Sequence, residues 1–372
     1  MRVGIIGFHA LPLTYDIEMT REESVFEAAR GALKSAGLER EDIDAVISAS
    51  SDYYDGRTIS NSMLIGATGA YLKDETKAEE DGLFAVLYAI QRLRTYHRTA
   101  LVVAHTHSWT FNPHKVSTFM LDPLFDRHNE LLNDITLAAL QANAYMHAYK
   151  VSEEDIALVA LKDLKNASMN PLAYRRLPGV TLEEVMSSEV YSSPIRELTM
   201  APCCDGAAAV VLAREDVIQK LSIEDPVWIE GVGTATDRYI RDRNLLEMES
   251  LSIAAKKAYA MAGVTNPLDQ IDFAEVTERF AYQELMIYEA LGLCQKGRGK
   301  YLIRSGVTER GGDFPVNMSG GATGGDAITA TGLYRLIEAV KLLRNGAGER
   351  ALVHSQWGLL AQKNIVFVLR RD

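Results

Sequence analysis

The chain has 372 residues, 47% hydrophobic and 24% charged, with 39 Lys and Arg against 50 Asp and Glu and a formal net charge of −11. That length exceeds most single cores, so two subdomains are expected. The charge argues against non-specific nucleic-acid binding, and no apolar run approaches a membrane span. Three cysteines, Cys203, Cys204 and Cys294, give no disulfide framework and no metal-ligand spacing, which fits a reducing cytoplasm and no metal centre.

The N-terminal "RVGIIGF" (2–8) reads as a buried strand rather than a signal peptide. "AARGALKSAGLEREDIDAVI" (28–47) is an Ala-rich helix ending at a Gly37 C-cap and feeding a strand. "ETKAEEDGLFAVLYAIQRL" (75–93) reads as a strand end, a turn with three acids, and a long amphipathic helix; "ALVVAHTHS" (100–108) follows as an apolar strand. His105 and His107 face one way on it, but no third ligand completes a metal set. From Trp109, an insertion over about 110–193 carries helix patterns and looks like a cap. "GAAAVVLA" (206–213) closes the first half. The second half opens with "PVWIEGVGT" (226–234) and closes with "NIVFVLRR" (364–371).

The chain repeats itself. "AAKKAYAMAGVTNPLDQIDFAEV" (254–276) parallels 28–47, with Gly263 as its C-cap, and "GLYRLIEAVKLLRNGAGERALVH" (332–354) parallels 82–103. The pairs occur in the same order, which predicts two α/β halves, 1–225 and 226–372, each with helices on both faces of a mostly parallel sheet.

Two such halves with a helical insertion resemble the thiolase superfamily. "NPLAYRR…VTLEEVMSSEVYSSPIRELTMAPCCDGAAAVVLA" (170–213), "YEALGLCQKGRGKYLIRSG" (288–306) and "PVNMSGGATGGDAITATG" (315–332) are similar to its sterol-carrier-protein-type and archaeal members. The resemblance implies a five-layer α/β/α/β/α fold and a homodimer or heterodimer with a thiolase-like chain, joined near 100–108. It also implies a possible small OB-fold/zinc-ribbon partner. Acyl-CoA or coenzyme A would be a substrate, with no tightly bound cofactor.

The chemistry motifs depart from the family. Placed by Gly82, the nucleophilic cysteine position is Glu79; the Gly-His-Pro histidine position is Asp326; the motif ending in Phe is "TERF", with Glu278; and the C-terminal loop is "HSQWG", with His354 and Gly358. A helix N-terminus would keep Glu79 ionised, yet a carboxylate cannot replace a thiolate in acyl transfer. Cys203 and Cys204, in a turn before a buried strand, read as small packed thiols. Glu79 and Asp326 are expected in one cleft as an acid/base pair, with Glu278 and His354 as further candidates; capping and hydrogen-bonded structural roles are the alternatives.

Lys162, Lys165, Arg175 and Arg176, with Gly320, Gly321 and Gly358, form the candidate coenzyme A set, since its phosphates need such charges. Two functions follow. One is C–C bond chemistry on a β-hydroxy- or β-ketoacyl-CoA without a cysteine, acyltransferase or retro-aldolase in type, although the tyrosines of such aldolases are here Thr277 and Ile328. The other is an inert subunit of a thiolase complex, which a cleft filled by Tyr54 or Trp357 would favour.

Overall fold

A computed structural model describes residues 2–107, 112–129 and 131–372; Ser108, Trp109 and the start of the insertion at 110 lie outside them. The first half runs β1 (Val3–Ala10), α1 (Arg21–Ala36), β2 (Ala45–Ala49), the single turns α2 (Asp52–Asp55) and α3 (Ile65–Thr68), β3 (Asp74–Ala78), α4 (Gly82–Thr95) and β4 (Thr99–Thr106). The insertion holds α5 (Pro113–Ser117), α6 (Asp134–Tyr149), α7 (Glu153–Ser168), α8 (Leu182–Ser187) and the small hairpin β5 (Val190–Ser192) and β6 (Ile195–Arg196). After it, β7 (Gly206–Arg214) and α9 (Glu215–Lys220) lead out of this half. The second half runs β8 (Val227–Thr236), α10 (Glu249–Ala262), α11 (Pro267–Gln270), β9 (Phe273–Glu275), α12 (Ala281–Ala290), α13 (Gly299–Arg304), α14 (Thr331–Arg344), β10 (Arg350–Trp357) and β11 (Lys363–Arg371).

The repeat is visible residue by residue. Helices α1 and α10 both end at glycines in the left-handed region, Gly37 at φ 66° and Gly263 at φ 69°. Their alanines let the helices lie close on glycines of the strands beneath. A Cβ on Gly7 would meet the Ala32 carbonyl at 2.6 Å, and one on Gly233 would meet the Ala254 carbonyl at 2.0 Å. Small residues therefore recur at both helix–strand contacts because a side chain there would push the layers apart.

Strand order across the sheet is β3-β2-β4-β7-β1-β8-β11-β10-β9. The two halves join through β1 and β8 at only two paired positions, Gly4↔Trp228 and Ile5↔Val227. Side chains alternate between cores, as the strand period requires. Ala207, Ala209, Val211 and Ala213 of β7 pack with α1, whereas Ala208, Val210 and Leu212 pack with α4 and α14. The α4–α14 layer also receives Val353 and Phe367 from the second half, and α10, α12 and α7 cover the far face. Helices, sheet, helices, sheet, helices, with the sheet continuous through β1–β8: the five-layer mixed α/β architecture that the resemblance implies is present.

Three details differ from the sequence reading. The sheet is not mostly parallel: among the described residues, five of its eight strand pairings are antiparallel, and only β2–β3, β2–β4 and β9–β10 run parallel, because β7 and β11 return against their neighbours. The second half has no regular counterpart of β3 among the described residues; an isolated bridge, Ala274↔Val316, stands there, followed by Asn317 at φ 56°. And β4, expected at an interface, lies inside the sheet, with its ladders used by β2 and β7. The outer strand of this half is β3, so an open ladder belongs to Asp74–Ala78 instead. Among the described residues, no helix is long and apolar enough to cross a membrane.

Candidate active site

The three acids on the "AEEDG" turn each have a distinct partner. Asp81, fully buried, caps two helices at once: Oδ1 accepts from Leu83 N at 2.9 Å in α4, and Oδ2 accepts from Gly332 N at 2.7 Å in α14. Burial pushes its carboxyl up to about 6 against these two bonds. Gly82 N donates to Thr329 O at 2.8 Å, so the turn also grips the Gly-rich loop before α14. Glu80 pairs with Lys363 of β11, tying the halves together. Glu79 is exposed; it accepts from Asp52 N at 2.5 Å and pairs with Lys77 at 2.6 Å.

Asp326 lies elsewhere, on the wall of a narrow cavity of about 30 Å³ shared with Tyr54, His114, Asp134, Cys203, Arg279 and Ile328. Glu79 is not among the residues lining it, so the structure does not bring the expected Glu79–Asp326 pair together. The reason is local: Glu79 directly follows strand β3, where its side chain reaches the start of α2.

Two ion pairs face this cavity instead. Arg279 Nε lies 3.2 Å from Asp326 Oδ2, and Asp326 Oδ1 accepts from the Thr331 hydroxyl at 2.6 Å. The Arg279 guanidinium also lies 5.9 Å from the Trp357 ring centroid and donates to Ile328 O. Burial alone would lower the Arg279 pKa, but the charges of Asp326 and Asp81 raise it. Opposite, His114 Nδ1 is 2.8 Å from Asp134 Oδ2, and Ser117 Oγ donates to the other oxygen at 3.1 Å. Burial would lower the His114 pKa; the hydrogen bond and charge of Asp134 outweigh it and carry the pKa above its ordinary value. Asp134 moves the other way: burial raises it, and His114 draws it below the usual range. Cys203 is not a thiolate, because burial and the carboxylates of Asp326 and Asp134 hold its thiol well above its ordinary value.

The backbone at the cavity is strained. Ile328 has φ 31°, a conformation costly for a β-branched residue, and it is held by its neighbours. Thr329 Oγ1 donates to His105 O at 2.5 Å, and Thr106 Oγ1 donates to Ala327 O at 2.5 Å. Cys204 N donates to Asp326 O and Asp326 N to Pro202 O, both at 2.9 Å.

The other expected site residues lie away from this cavity. His354 is fully buried on β10, its Nε2 2.9 Å from Asn364 Oδ1, and burial draws its pKa down to about 4. It is a neutral structural histidine. Glu278 is buried too, accepting from Thr323 N, Thr323 Oγ1 and Asn317 Nδ2. Burial and the neighbouring Glu284 push it up to about 8.

The coenzyme A set separates. Lys162 is fully buried against Asp163 and Glu284, out of reach of a phosphate. Arg175 is spent on the carbonyls of Met200 and Glu197, while Lys165 and Arg176 are exposed. Gly320 and Gly321 abut protein atoms: a Cβ would meet Ala167 Cβ at 2.5 Å and Glu278 Oε1 at 2.4 Å respectively. Gly358 (φ 79°) lies between β10 and β11. His105 and His107 are buried against Asp55 and Ser24.

The raised Glu278 carboxyl predicts a pH effect. An acid whose pKa is raised in the fold contributes stability that is full below its unfolded value, 4.5, and lost as pH rises through about 8. His107 and His354, lowered to about 4, oppose it only up to their unfolded value of 6.5. Unfolding free energy measured by urea titration should therefore fall by about 1–2 kcal/mol between pH 6.5 and 8.5. A flat or rising profile over that interval would contradict the assignment.

Residues 231–370 match the family described as Thiolase C-terminal domain-like. The chain is 29% identical over 370 residues to an Acetyl-CoA acetyltransferase of Methanothermobacter thermautotrophicus, covering 96% of this chain and 94% of that one. It is 34% identical over 212 residues to the Benzoylsuccinyl-CoA thiolase subunit BbsB of Thauera aromatica, covering 56% and 54%. Among solved structures, an Ltp2-ChsH2(DUF35) aldolase superposes with a TM-score of 0.85 at 23% identity over 100% of this chain and 98% of that one. Human mitochondrial 3-ketoacyl-CoA thiolase gives 0.76 at 17%, over 100% and 99%.

Sequence reasoning reached Asp326 but missed Arg279, His114 and Asp134. Arg279 was legible only as a departure inside "TERF", and the His114–Asp134 pair spans two helices of the insertion with no spacing signature.

Proposed function

We propose that this thiolase-like, acyl-CoA-related chain makes or breaks the Cα–Cβ bond of a β-hydroxy- or β-ketoacyl-CoA without a cysteinyl intermediate. The observation that carries the reading is the convergence of His114–Asp134 and Arg279–Asp326 on one cavity. In the retro-aldol direction, the neutral form of His114, more abundant as pH rises through its raised pKa, takes the β-hydroxyl proton at Nε2, with Asp134 holding its ring through Nδ1. The Cα–Cβ bond then breaks and its electron pair moves into the thioester as an enolate. Arg279, oriented by Asp326, balances the charge on the enolate oxygen. The imidazolium returns its proton to Cα, so no co-reactant is needed. Exposed Lys165 and Arg176 are the cations available to coenzyme A phosphates; no tightly bound cofactor enters the scheme.

A second thiolase-like chain, like or unlike, would pair along the open edge of β3, and a small OB-fold/zinc-ribbon chain is the other partner class. The site of action would be the cytoplasm, consistent with three free thiols. A second reading, an inert subunit of a thiolase complex, is favoured by one observation: Tyr54 and Trp357, with ring centroids 6.2 Å apart, pack beside a cavity of only about 30 Å³.

Turnover of β-hydroxyacyl-CoA esters, and of acetoacetyl-CoA with coenzyme A, separates the readings. His114→Gln should lower the retro-aldol rate by roughly 10²-fold, the usual effect of removing a general base, while Glu79→Gln should retain a substantial rate. Intact mass should show no acyl adduct on any cysteine. An adduct, or equal rates for wild type and His114→Gln, would remove the proposal; no turnover by wild type would leave the subunit reading.

A further inference from the structure

The cavity is too small for the acyl group it is proposed to receive. About 30 Å³ is room for water, not for a substrate carbonyl with its neighbours. One wall must move, and the walls differ in how they are held. Asp326, Ile328 and Cys203 sit on loops cross-braced by backbone hydrogen bonds and by Thr106 and Thr329. Arg279 stands just before α12, and His114 and Asp134 sit in the first turns of α5 and α6. Tyr54 comes from α2, a single turn ending at Gly56 (φ 68°), and packs with Val116, Ile328, Cys203 and Trp357.

Side chains hold α2 at its two ends. At the start, the Ser51 N-cap makes no side-chain bond; Glu79 instead accepts from Asp52 N, and Lys77 bridges Glu79 and Asp52. At the end, Asp55 Oδ1 lies 3.3 Å from His105 Nε2 and 3.7 Å from Arg21 Nε. Arg21 also donates from Nη2 to Asp55 O at 3.4 Å, while Asp55 Oδ2 and Arg21 Nε have no hydrogen-bond partner among the described residues.

We propose that α2 is the movable wall of the cavity, that Tyr54 admits or excludes the acyl group, and that Glu79 and Asp55 are positioning residues that hold it shut. Its link to acyl groups rests on the functional reading above; its mechanics do not. The glutamate at the expected nucleophile position thus acts on the site through the turn it holds.

Cys203, half-buried like Cys294, reports the motion because it lies on the cavity wall against Tyr54. The experiment is the rate of alkylation by iodoacetamide, mapped by peptide mass, with buried Cys204 and half-buried Cys294 as internal references. Tyr54→Ala should speed Cys203 labelling by roughly tenfold, and Glu79→Gln and Asp55→Asn by about threefold or more, as expected when labelling tracks an open population. An unchanged Cys203 rate in Tyr54→Ala overturns the proposal, as does a parallel rise at Cys204 and Cys294, which would signal general loosening. Acetoacetyl-CoA should slow Cys203 labelling in the wild type. If it fails to protect while Tyr54→Ala still accelerates, the moving wall stands and the acyl-CoA reading falls.

Discussion

Replacing Lys162 by methionine is expected to lower the unfolding free energy by about 3–5 kcal/mol, the cost of removing one partner from a buried ion pair. Its ammonium donates to Asp163 Oδ1 at 2.5 Å and to Val316 O at 2.8 Å, and lies 2.9 Å from Glu284 Oε1. Asp163, Glu278 and Glu284 bring carboxylate oxygens within 4.8 Å of one another, all buried. One cation cannot neutralise three carboxylates, so protons do the rest. Burial and Glu284 push Asp163 well above its ordinary range, just as they push Glu278 up to about 8. Asn317 Nδ2 donates to Glu278 and Glu284 at 2.7 Å each, linking the cluster to the Gly-rich segment. Without Lys162 the carboxylates must hold more protons to stay buried, so the loss should be larger at pH 8.5 than at pH 6.5. Urea titration at the two pH values checks both size and direction. A variant within about 1 kcal/mol of wild type at both would mean that the cluster is hydrated rather than dry.

Asp81→Ala should cost about 2–4 kcal/mol, because it removes two N-caps with one side chain and leaves the buried N–H groups of Leu83 and Gly332 unpaired. Asp81→Asn should recover part of this, since one amide oxygen can still accept while its NH₂ faces an N–H. The packing is tight: a Cβ on Gly332 would lie 2.0 Å from Asp81 Oδ1, and one on Gly82 would lie 2.9 Å from Leu333 Cβ. The shared cap thus fixes where α4 and α14 start, and Gly82 passes that position to Thr329, three residues from Asp326. The check is denaturant midpoint together with turnover. Asp81→Ala should lose both, whereas Glu79→Gln should keep its stability. A loss below about 0.5 kcal/mol would mean that water replaces the carboxylate at both helix ends.

What the sequence determined by itself was the scaffold. Alanines at helical spacing, Gly37 and Gly263 as helix ends, and "GLF" and "GLY" opening two helices of equal length are local signals, and each acts within one or two turns of the chain. Their recurrence in order pointed to an α/β fold with helices on both faces of a sheet, the resemblance added the five layers, and the N-capping role of Asp81 was equally local. Tertiary structure alone decided which charges meet. Asp81 caps a helix 251 residues away, Glu80 finds Lys363, and Asp326 finds Arg279 rather than Glu79. No spacing encodes such pairs, since a charged side chain takes whichever partner the packed layers bring within a few ångströms. The same holds for burial. Lys162 and Arg176 look alike in a basic stretch, yet one faces the core and the other water. His354 comes after the apolar run "ALV" as a catalytic histidine would, but it lies within β10, which points it at Asn364. Local periodicity writes the elements; the contacts that give them chemistry are set only when the layers close.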